Sequence, residues 1–154
     1  MAKSVFKQLI EGIQYCHSKS ILHRDIKLDN ILLSSNGEIK ICDFGVSKLV
    51  KGDEKMTEQC GTPAYIAPEI LLDRGYQGFG IDIWSAGVVL YAMLYGTVPF
   101  KANNMSELQK MILKAKYSLQ DCISKEARDM LRCLLEKDPA KRISVTNILK
   151  HPWM

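Results

Sequence analysis

Five cysteines with no C-x-x-C pair leave this sequence without a disulfide framework. Their odd number points to a reducing, cytoplasmic setting. None of the three histidines stands at metal-ligand spacing from a cysteine or carboxylate, so His17 and His151 read as packing or solvent-facing residues. A membrane span is also missing, since it needs about 20 apolar residues. The longest uncharged stretch, Ile83 to Phe100, is solidly apolar only to Tyr95, with Gly87, Gly96 and Pro99 interrupting it. It reads as a helix buried on all sides. The opening Met-Ala-Lys-Ser-Val-Phe-Lys is too polar for a signal peptide. Neither sign of charge dominates: 21 basic and 17 acidic side chains give a net +4, which excludes a nucleic-acid footprint. No repeat, low-complexity tract or linker divides the 154 residues, which suffice for one domain with a real core.

Helical periodicity governs most of what is present. Val5, Phe6, Leu9, Ile10, Ile13 and Cys16 recur at helical spacing, so the chain opens inside an amphipathic helix. Two short strands, Ile31–Leu33 and Ile39–Cys42, flank Asn36-Gly37, a strong hairpin signal. Residues 43–80 are rich in Gly, Pro and polar side chains without a clear period, the mark of a long functional loop. Helices are predicted beyond it: the buried one, one near Asn104–Lys114 with Asn104 and Glu107 as a capping pair, one over Ser124–Glu136, and one over Ser144–Lys150. The fold class is therefore mainly α with one small hairpin.

That hairpin carries the chemistry. A two-residue turn at Asn36-Gly37 would set Leu33 opposite Lys40, Ile31 opposite Cys42 and Asn30 opposite Asp43. Opposed residues have Cα atoms about 4.5–5.5 Å apart, so an amide and a carboxylate arrive side by side. Asp25 and Lys27 stand just upstream. Hard oxygen donors of this kind suit magnesium, which also binds substrate phosphates. A solvated turn with scattered charges would explain any one of these residues but not the set.

His23-Arg24-Asp25-Ile26-Lys27-Leu28-Asp29-Asn30 resembles the catalytic loop of protein kinases. Asp43-Phe44-Gly45 resembles their D-F-G and Ala67-Pro68-Glu69 their A-P-E, in the same order and at matching spacing. The likeness continues through Asp82-Ile83-Trp84-Ser85-Ala86-Gly87 to Arg142 and His151-Pro152-Trp153, covering nearly the whole chain. The resemblance implies a transferase using ATP and Mg2+ on protein Ser or Thr. In it Asp25 would orient the substrate hydroxyl and accept its proton, and Lys27 would neutralise the moving phosphoryl group. Asn30 and Asp43 would hold magnesium, and Leu32 would floor the adenine. Lys27 and the Thr62-Pro63 pair within Gly61-Thr62-Pro63-Ala64-Tyr65 place the likeness among serine/threonine kinases. His23 and Phe44 resemble members of the stack between kinase lobes, Asp82 the brace of the catalytic-loop backbone, and Glu69 with Arg142 a buried ion pair.

Regulation and substrate choice follow from the same resemblance, which is to the calcium/calmodulin-dependent and AMP-activated groups. Arg24 corresponds to an arginine that grips an activation-loop phosphate. Glu58 stands where that phosphothreonine would lie, with Thr57 beside it, so Glu58 is expected to replace the phosphate in part. Asp29 resembles an acid that attracts substrate arginine; its second member corresponds to Ala92, leaving half of that pocket.

The departures are as clear. No G-x-G-x-x-G follows a strand, no V-A-I-K strand supplies a phosphate-positioning lysine, and the adenine hinge is lacking. Lys3 belongs to the opening helix. The expectation is a C-terminal lobe alone, with the N-terminal lobe absent and negligible activity by itself. An apolar face around Leu32, Phe44 and the first helix should then be open to a small lobe or a regulatory protein. The alternatives are a non-catalytic kinase-like binding module and, weaker, a purely structural helical domain.

Overall fold

The computed structural model describes residues 1–154. Helix α1, Ala2–Ser18, buries Phe6, Leu9, Ile10 and Ile13 as its periodicity predicts and has no side-chain cap at its start. Strand β1, Ile21–Leu22, follows, then a single turn of tighter helix at Leu28–Asn30, then β2, Ile31–Leu33, and β3, Ile39–Ile41. Strand β4, Lys48–Leu49, returns to pair antiparallel with β1, which the sequence did not signal. Short helical turns at Pro63–Tyr65 and Pro68–Leu71 each begin on proline, whose fixed φ suits a first helical position.

Helix α2, Gly80–Tyr95, is the centre of the molecule. It is apolar all round, and eight of its residues from Ile81 to Tyr91 join one continuous core with α1 and the later helices. Helices α3, Met105–Leu113, and α4, Lys125–Leu134, are capped by Asn104 and Ser124, whose side chains accept the N–H groups of Glu107 and Ala127. Helix α5, Val145–Ile148, is capped by Ser144. Trp153 closes the far end by meeting Phe6 edge-on at 5.8 Å. No helix is long and apolar enough to cross a membrane.

The hairpin register differs from expectation by one residue. Ile31 pairs with Ile41, Leu32 with Lys40 and Leu33 with Ile39. The cause is the turn. Ser34 N–H donates to the Glu38 carbonyl at 2.8 Å and Gly37 N–H to the Ser34 carbonyl at 3.1 Å, so the loop holds three residues. Gly37 takes the left-handed position, φ 83°, that closes such a loop. Asn30 therefore stands opposite Cys42, whose N–H donates to its carbonyl at 2.9 Å, and Asp43 follows one residue later. In a continuing strand that slip would send the Asp43 side chain to the other face. The strand has ended, however, and Asp43 adopts φ 59°.

Candidate active site

Residues 23–30 form a loop laid across the N-terminal turn of α2. Asp82, fully buried there, accepts the His23 N–H on Oδ2 at 2.9 Å and the Arg24 N–H on Oδ1 at 3.0 Å. His17 from α1 meets the same Oδ2 through Nε2 at 2.8 Å. This fixes Arg24 at φ 70°, a left-handed conformation that costs a non-glycine residue about 1–3 kcal/mol. His23 then sets its neighbours. Its Nδ1 accepts the Asp25 N–H at 3.1 Å, so the proton resides on Nε2, which donates to the Cys42 carbonyl at 3.0 Å. One imidazole thus ties the loop carrying Asp25 to the strand end carrying Asp43, and it meets the Phe44 ring at 4.6 Å.

Asp25, Lys27 and Thr62 converge from two segments. The Thr62 hydroxyl donates to Asp25 Oδ1 at 2.8 Å and accepts from Lys27 Nζ at 2.9 Å, while Lys27 Nζ lies 3.6 Å from Asp25 Oδ2. Asn30, buried, donates its Nδ2 to the Asp25 carbonyl at 2.9 Å, which leaves its Oδ1 without a protein donor. The exposed Asp43 carboxylate accepts only the Gly45 N–H, at 3.3 Å. An amide oxygen and a carboxylate with free lone pairs fit a magnesium ion by donor type. Leu32 and Phe44 lie beside this cluster in sequence and are 55% and 42% exposed.

The segment after Asp43 crosses over this loop. Arg24 Nε donates to the Val46 carbonyl and its guanidinium meets the Glu58 carboxylate, each at 2.5 Å. Burial works against the Arg24 charge, but hydrogen bonds with Glu58 and Tyr76 outweigh it and raise its pKa. The same contact, with the Arg24 charge behind it, holds the Glu58 carboxyl below its ordinary value. Thr57, Asp29 and Pro63 are exposed, so the structure draws none of them into the cluster.

Two features lie apart from this centre. Arg142 grips Glu69 with both terminal nitrogens, at 2.5 and 2.9 Å, and both residues are buried. Folding also gathers Asp129, Cys133 and His151, which their sequence spacing gave no reason to associate. His151 Nδ1 accepts the Trp153 N–H, leaving the Nε2 proton to meet Asp129 at 3.2 Å, so the ring joins α4 to the chain end instead of offering a lone pair. Tyr76 was missed by sequence reading altogether; its hydroxyl donates to the Glu58 carbonyl at 3.0 Å.

Known proteins resemble this chain in sequence over nearly its whole length. The family model for the protein kinase domain matches residues 1–154. The chain is 45% identical to CBL-interacting serine/threonine-protein kinase 5 of Arabidopsis thaliana, over 99% of this chain and 35% of that protein. It is 43% identical to CBL-interacting protein kinase 31 of Oryza sativa subsp. japonica, over 99% of this chain and 34% of the relative. Sperm motility kinase 2B of Mus musculus is also 43% identical, over 99% and 30% respectively. The chain thus spans about a third of the length of the curated relatives it matches. The family-model match over the whole chain and these relatives together show that the chain belongs to the protein kinase domain family, on its serine/threonine side.

Proposed function

We propose that the chain is the larger, substrate-holding lobe of a serine/threonine kinase, transferring the ATP γ-phosphate to protein Ser or Thr when a small lobe completes it. The observation that carries this reading is the Thr62 hydroxyl, held with its proton on Asp25 and its oxygen against Lys27. The pair already binds an aliphatic alcohol in the manner a substrate Ser or Thr requires. In the reaction Asp25 orients that alcohol and takes its proton, and Lys27 places positive charge where the phosphoryl group passes. Asn30 and Asp43 would hold magnesium, which supplies charge neutralisation at the phosphates. Leu32 forms the apolar floor under the adenine.

Glu58 on Arg24 orders the activation segment without a phosphate, with Thr57 as its neighbouring modification point. Asp29 and Pro63 face an incoming peptide. A small lobe or regulatory protein covers Leu32 and Phe44, whose exposure in a domain with a well-filled core supports a partner there. Five free cysteines agree with a reducing, intracellular setting. Without that second lobe the chain is nearly inactive, because phosphoryl transfer depends on positioning from both sides.

Two measurements test this reading. Mn2+, as a paramagnetic stand-in, should broaden the NMR signals of Asn30 and Asp43 in this chain and spare them in Asp43→Asn. The enzyme completed by a small lobe should phosphorylate Ser/Thr peptides from Mg-ATP, with the isolated chain at least about 10²-fold slower. Equal rates would overturn the lobe assignment, and no transfer by the completed enzyme would favour a kinase-like binding module.

A further inference from the structure

Most residues from 51 to 59 are exposed, and Met56 is the one buried among them, at 1%. What holds it is the loop before α2. Met56 and Tyr76 exchange backbone hydrogen bonds in both directions, at 2.8 and 2.9 Å, as an isolated antiparallel bridge. Two residues on, the Tyr76 hydroxyl reaches the Glu58 carbonyl at 3.0 Å. Tyr76 is itself buried, so this hydroxyl acts largely away from water. Gly75 permits the approach: its φ is 75°, and a Cβ there would stand 2.8 Å from the Met56 carbonyl oxygen.

The Arg24–Glu58 contact needs such help. Its carboxylate side is 61% exposed, and an ion pair so placed contributes too little to order a loop alone. We propose that Tyr76 is a positioning residue for the activation segment, gripping the backbone at Met56 and Glu58 so that the Glu58 carboxylate is delivered to Arg24. The proposal deepens the reading in which that contact orders the segment. It places the clamp on a part of the chain between the A-P-E and α2, remote in sequence from the loop it holds.

The test uses this chain without nucleotide, so a failure of the kinase reading leaves it intact. Tyr76→Phe keeps the ring and the backbone bridge and removes only the hydroxyl. Limited trypsin cleavage after Lys55 should quicken about fivefold, the effect of one hydrogen bond, with cleavage after Lys137 unchanged. The Glu58 carboxyl titration, followed by NMR, should shift upward toward that of a free glutamate. Gly75→Ala should do both more strongly. Unchanged cleavage and titration in Tyr76→Phe, or equal acceleration at Lys55 and Lys137, would overturn the proposal.

Discussion

Asp82 accepts the Arg24 backbone N–H at 3.0 Å from 58 residues away, and with it the loop bearing Asp25 is fastened to the central helix. The carboxylate is fully buried, and each bond it accepts is charge-assisted. Removing it strands two amides and releases a backbone held at positive φ.

Asp82→Asn is expected to lower the unfolding free energy by about 2 kcal/mol, since bonds to a buried charged group contribute about 1.5–3 kcal/mol. Equilibrium urea denaturation measures this. A change under about 0.5 kcal/mol would show that the brace is not stabilising.

Glu69→Gln leaves Arg142 charged and buried among Gly80, Trp84 and the Glu136 carbonyl. Breaking such a pair on one side costs about 3–5 kcal/mol. The double change Glu69→Leu with Arg142→Met should cost less than either single change, read from the same denaturation curves. Additive losses would contradict a coupled pair.

In the enzyme completed by a small lobe, Asp25→Asn should reduce kcat about 10²–10⁴-fold, as expected for loss of a general base. Thr62→Val should affect kcat and KM far less, because its hydroxyl positions Asp25 and Lys27 without entering the transfer. A silent Asp25→Asn would remove the assigned chemistry.

The Glu58 titration has a definite sign. Its carboxyl is depressed by the Arg24 hydrogen bond first and the Arg24 charge second. Stabilisation of the segment is therefore present above the ordinary carboxylate value of 4.5 and fades as pH falls through the lowered one. NMR signals of the Arg24 guanidinium should follow that transition and be lost as a titration in Glu58→Gln. An Arg24 signal that follows the same acid titration in Glu58→Gln as in the unaltered chain would refute the pairing in solution.

Leu32→Lys with Phe44→Ser should reduce concentration-dependent self-association and dye binding at the open apolar face, read by sedimentation and fluorescence. Unaltered association would place the contact elsewhere.

The sequence by itself determined the helices and the chemical inventory. Period-3.6 patterning located α1 and α4, and the Asn104–Glu107 capping pair located α3, because these signals arise within a few residues. Asp25, Lys27, Asn30 and Asp43 stood out as a group in the sequence because they flank one short hairpin. The register was not, because Asn-Gly suits both two- and three-residue loops and only the Ser34–Glu38 pairing chose between them. Tertiary structure alone decided the contacts that cross the chain. Asp82 under Arg24, Thr62 between Asp25 and Lys27, and Tyr76 on Glu58 link residues 58, 35 to 37, and 18 positions apart. No local period encodes such pairings. They exist because α2 is apolar on every side and must be enclosed, and enclosing it brings these loops together.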